Sequence, residues 1–89
     1  MNDSIDYIYD TIISFVNEEL NELISRSDDF RENLEKSLFF DGCIKRLEEI
    51  RTLLIRFKNA DSATLRFIAL EYCDKMLDTL QRDIENSII

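Results

Sequence analysis

Residues 39–43 read Phe39-Phe40-Asp41-Gly42-Cys43, and Gly42 is the only glycine in a chain of 89 residues that has no proline. Whether this stretch turns the chain between two helices or sits inside one long helix decides the number of helices. Glycine is favoured just past a helix end, where a left-handed backbone costs it nothing. Inside a helix it costs only about 1 kcal/mol relative to alanine, so its presence alone decides nothing.

The apolar pattern on either side says more. Cys43, Leu47, Ile50, Leu54 and Phe57 follow alternating steps of four and three, the seam of a helix packed side by side with another. In one straight helix over 29–58, Phe30, Leu34 and Leu38 would lie about half a turn away from that seam, whereas a heptad pattern drifts by only ~20° per seven residues. A break at Gly42 accounts for the jump, with Cys43 against Leu38 as the apolar pair of a Schellman stop. Against the break, residues 43–45 offer no N-cap unless Asp41 serves. The sequence favours four helices, at about 4–26, 29–41, 43–58 and 62–87, in a small antiparallel all-α bundle. The alternative is three helices with a long, kinked middle one buried on opposite sides in its two halves.

Other boundary signals are local. Asp3 or Ser4 can cap the first helix, with Asp6 in its first turn. Asp29, with Glu32 three residues on, approximates a capping box and places a turn at about 27–29. Lys58 suits a helix C-terminus, Asn59 a left-handed cap, and Asp61 or Ser62 a new start. Ile5, Tyr9, Ile12, Ile13, Val16, Leu20 and Leu23 share one face of the first helix. Leu70, Cys73, Leu77, Leu80 and Ile84 form the seam of the last.

Composition bounds the rest. A chain this short makes one domain, 1–89, with a modest core. It is 45% hydrophobic and 34% charged and lacks the turn residues that sheet folds use to reverse direction. No run approaches the ~20 apolar residues of a membrane span, and the N-terminus, MNDSIDYIYD, is acidic where a signal peptide is basic. A soluble, cytoplasmic protein is expected. Cys43 and Cys73 have no CxxC spacing and fall on apolar seams, as small core side chains kept reduced.

The net charge of −8 disfavours nucleic acid and anionic membranes and favours a basic partner surface. It is uneven: residues 1–30 carry −7, 31–60 carry +2 and 61–89 carry −3. On the first helix Asp3, Asp6, Asp10, Asn17, Glu18 and Asn21 lie opposite the seam, with Tyr7 among them. This face reads as solvated helix surface or as an acidic recognition face anchored by Tyr7, tyrosine being enriched at binding hot spots. Phe39, Ile55, Phe67, Ile68, Ile88 and Ile89 lie off the seams, as ordinary surface apolarity or as an apolar interface, with a homodimer among the expectations. The first and last helices also have apolar arcs wider than a two-helix contact requires.

Catalytic chemistry is poorly provided for. The chain has no histidine, which removes the commonest general base and metal ligand, and one glycine cannot build a phosphate-binding loop. Glu18 with Glu22, Glu48 with Glu49, and Asp74 with Asp78 read as solvated helix faces, not as metal sites. Lys45, Arg46, Arg51, Arg56 and Lys58 scatter around their helix, as partners of Glu48, Glu49 and the acidic first helix and not as a nucleic-acid stripe. No cofactor is expected. The residues point to a non-enzymatic protein-binding module: a small acidic inhibitor of anti-defence, immunity or antitoxin type, from a phage or other mobile element, that binds a basic surface. The alternative is a structural or adaptor subunit, akin to a secretion chaperone, that self-associates or packs into a larger complex through apolar seams.

Overall fold

The seam of the middle helix begins at Phe40. In the computed structural model, which describes residues 3–88 with side chains from Ser4 to Ser87, Phe40, Cys43, Leu47, Ile50 and Leu54 are all buried. They follow steps of three and four without interruption, so the stripe does not jump. Leu34 and Leu38, which suggested the jump, are 71% and 61% exposed, and Phe30 lies in the preceding turn. The helix therefore passes straight through Gly42. No described residue has a positive φ, and a Cβ placed on Gly42 would meet nothing within 4 Å. The expected break into helices at 29–41 and 43–58 is corrected to a single element.

Among the described residues the chain forms three helices and no strand: α1 (Asp3–Asp29), α2 (Leu34–Lys58) and α3 (Ala63–Ile88). The turn expected at 27–29 lies at 30–33. Asn33, extended at φ −104° and ψ 102°, caps α2 by accepting from the Lys36 amide at 3.2 Å. Asp29 belongs to the last turn of α1 and caps nothing downstream. Asp3 and Ser4 both lie within α1, and Asp3's side chain, like those of Ile88 and Ile89, is outside what the structure describes. At the second turn the reading holds better. α2 ends at Lys58, and the Ser62 hydroxyl accepts from the Leu65 amide at 3.2 Å as α3 begins. Asn59 ends α2 at φ −104°, not in the left-handed region.

The helices run up, down and up in a bundle of 49 × 19 × 16 Å. Tyr9, Val16, Leu20 and Leu23 from α1 and Leu70, Cys73, Leu77, Leu80 and Ile84 from α3 close on the α2 seam. Burying each large apolar side chain stabilises by about 1.5–3 kcal/mol, which is how so short a chain sustains one core. Cys43 and Cys73 are buried, unpaired thiols of that core. At one end Phe30 stacks on Phe40 with ring centroids 5.6 Å apart and planes 4° from parallel, closing the α1–α2 turn. At the other, the Tyr9 hydroxyl donates to the Arg66 carbonyl at 2.6 Å, tying α1 to the first turn of α3.

Candidate protein-binding surface

α2 supplies most of the chain's cations, and it directs three of them sideways onto its neighbours. Lys58 pairs with Asp10, Arg51 donates to the Asn17 side-chain oxygen at 3.2 Å, and Arg46 pairs with Asp83 at 2.9 Å. The hydrogen bond that Lys58 donates to Asp10, with the nearby charges of Asp10 and Asp6, raises the Lys58 ammonium pKa above its ordinary value; desolvation opposes this. The expected pairing of α2 cations with the first helix is thus met by Arg51 and Lys58, while Arg46 turns to the last helix.

These contacts divide the acidic face read from the sequence. Asp6, Asp10, Asn17 and Asn21 lie on the flank of α1 that faces α2, and Asp10 and Asn17 are engaged there. Tyr7, 72% exposed, and Glu18 stand on the outer ridge. Asp3 falls outside the described side chains. Tyr7, Asp10, Ser14 and Glu18 border a shallow depression of ≈ 470 Å³ whose remaining wall is Thr11 and Phe15. Tyr7 therefore has an apolar neighbour that the sequence reading missed. The signal was present: Ile8 and Phe15 are seven residues apart, at the edge of an arc already too wide for one helix contact.

Phe15 and Thr11 also wall a second hollow. α1 and α3 approach each other much less closely than either approaches α2. A groove of ≈ 430 Å³ opens between them, with Ile12, Phe15 and Leu77 as its apolar part and Asp74, Lys75 and Asp78 along its α3 edge. Glu19, four residues beyond Phe15 on the same side of α1 by helical phase, is half-buried. Its carboxyl pKa is raised by that burial and by the charges of Glu22 and Glu18, with Arg26 opposing. The depression and the groove share a wall and form one continuous surface.

The four residues expected as an apolar interface lie on separate parts of the surface. Phe39 is half-buried with its ring edge-on to Phe40, centroids 5.6 Å apart. Ile55 is exposed on the side of α2 that carries Arg51 and Lys58. Phe67 and Ile68 are both exposed but, as neighbours in a helix, point about 100° apart. A separate exposed stripe runs along α3 through Leu65, Ile68 and Tyr72. Among the described residues no three His, Cys, Asp or Glu side chains are grouped as ligands of a metal ion would be. No helix among them is long and apolar enough to cross a membrane. No protein-family model, no curated protein and no solved structure matches the chain.

Proposed function

We propose that this chain is a non-enzymatic protein-binding module, a small acidic inhibitor of anti-defence, immunity or antitoxin type, that occupies a basic surface of its target. One observation carries the reading: an exposed tyrosine and a phenylalanine, Tyr7 and Phe15, sit in a shallow hollow edged by Asp10 and Glu18 on the most acidic third of the chain. An aromatic anchor beside Glu18, on a strongly acidic segment, suits a cationic protein surface, and the surrounding charge speeds its approach. Capture from a lysate of the encoding organism tests it, with wild type compared with Tyr7→Ala/Glu18→Lys and with Glu49→Lys on another helix. The first variant should lose specific captured proteins that the second keeps. An unchanged set of captured proteins would sink the acidic-face reading.

A second reading, a subunit that self-associates or packs into a larger assembly, draws support from the exposed Leu65, Ile68 and Tyr72 stripe on α3. Salt separates the two. Acidic-face binding weakens as ionic strength rises, while apolar helix packing hardly responds.

A further inference from the structure

We infer that the groove between α1 and α3 seats one amphipathic helix of a basic partner, apolar along the stripe that enters the groove and flanked by lysine or arginine. This rests on the protein-binding reading above and names where, and with what element, the partner engages. The groove has an apolar strip, Ile12, Phe15 and Leu77, and it lies between two helices that run in the same direction. By helical phase, Ile8 extends the strip on α1, and Phe67 lies on the same face of α3 as Asp74 and Asp78, seven and eleven residues on. From Phe67 to Gln81 the edge runs for about 21 Å, the length of about four helical turns. That length takes anchors at i, i+3 or i+4, and i+7, the pattern by which helices dock in grooves.

Charge selects the occupant. Asp74 and Asp78 edge one side, and Glu18, Glu19 and Glu22 lie along the neighbouring stretch of α1, against Lys75, Arg26 and Arg82. The latter two arginines pair with Glu22 and Asp78 four residues away on exposed surface, where such pairs contribute little. The two helices belong to the segments carrying −7 and −3, so a second copy would bring like charge to this groove. A helix bearing cations beside its apolar stripe meets a net acidic stretch on α1 and the carboxylates of Asp74 and Asp78 on the α3 edge.

The probe is a fluorescein-labelled, amidated Leu/Lys peptide of about 16 residues, with leucines on one helical face. Its binding is measured by fluorescence anisotropy at low and moderate salt and mapped by ¹⁵N amide shifts. Wild type should bind one peptide, with shifts centred on Thr11, Phe15, Asp74 and Asp78. Asp74→Lys/Asp78→Lys should weaken binding ~10-fold or more, and Glu48→Lys/Glu49→Lys, the same charge change on α2, at most ~3-fold. Phe15→Ser should weaken it at unchanged net charge. The charge variants alter exposed side chains, and their melting curves establish that they fold. Equal losses from the two charge pairs, or shifts centred on Tyr7 and Glu18, would overturn the groove while leaving an acidic binding protein. No binding of the peptide to wild type at low salt would likewise overturn the groove, while the capture experiment decides the protein-binding reading by itself.

Discussion

Gly42→Ala is the perturbation that the continuous α2 helix makes most specific. In a helix interior, alanine is favoured over glycine by about 0.8–1.0 kcal/mol, because glycine loses more backbone freedom on folding. Nothing in the structure subtracts from that gain. Gly42 is exposed, its φ is not positive, and the added methyl has no atom within 4 Å. The unfolding entropy of 89 residues at about 2.1 cal/mol/K each is about 0.19 kcal/mol/K, so the variant should melt ~5 °C higher. Far-UV circular dichroism during heating and in urea reads both quantities, and the urea dependence should keep its slope because the exposed surface is unchanged. A loss of 1 kcal/mol or more would refute the continuous helix and restore a left-handed stop at residue 42. Gly42→Asn sharpens the comparison. Asparagine tolerates the left-handed region better than alanine but is the poorer helix former, so an asparagine variant more stable than the alanine variant would point to a break.

Three further outcomes follow from particular contacts. Asn33→Ala should cost ~1 kcal/mol by removing the cap on the Lys36 amide, whereas Asp29→Ala should cost nothing and slightly stabilise, since its carboxylate sits at the negative end of α1; chemical denaturation of both gives the comparison. Tyr9→Phe keeps the buried ring but removes the donor to the Arg66 carbonyl, for a loss of about 1 kcal/mol and a melting point lower by about 4–8 °C; an unchanged melting point would mean the bond contributes nothing. Alkaline pH should destabilise the fold. Burial raises the Cys43 and Cys73 thiols and the Tyr9 phenol, and Asp10 raises Lys58, so the unfolded chain releases these protons first and binds fewer of them. Stability is then fully present below the unfolded values, about 8.5 for thiols and 10 for phenol and amine, and declines as pH rises through the higher folded ones. Melting curves from pH 7 to 11 check this, and a melting point that holds through pH 10.5 would contradict it.

The core was legible wherever burial and spacing coincide. Leu47, Ile50 and Leu54 on α2, and Cys73, Leu77, Leu80 and Ile84 on α3, are buried as their spacing indicates. The choice between four helices and the three-helix alternative, which the structure bears out in number, was not, because Leu34 and Leu38 are large and apolar yet exposed, and an exposed leucine costs a folded protein little. Counting them as core displaced Phe40, the residue that carries the seam back across Gly42. The first turn was misplaced for a related reason. Ser25, Ser27, Asp28 and Asp29 are cap-forming types, but α1 holds them in its last two turns, where serine and aspartate lower helix propensity by only tenths of a kcal/mol. Leu23 buried before them and Phe30 stacked on Phe40 beyond them hold that end in place. The α1–α3 groove depends on how far apart two helices lie, which neither helix's own periodicity encodes; only the width of the α1 arc through Ile8 and Phe15 hinted at it.

The division of charge bears on how the recognition face can be probed. Neighbouring cations on α2 could have neutralised the acidic first helix altogether, but Lys58 and Arg51 reach only its inner flank, at Asp10 and Asn17. Glu18 on the outer ridge, and Asp74 and Asp78 at the edge of the α1–α3 groove, are not among the groups these α2 cations reach. Charge reversal at Asp10 is a poor probe of recognition, since it also breaks an interhelical pair and sets two cations side by side. Reversal at Glu18 changes the outer ridge instead. A partner reading only overall charge would respond equally to either. A partner seated on the outer surface would respond to Glu18 and Tyr7 at undiminished fold stability, and that separation is what would distinguish a binding face from a source of solubility.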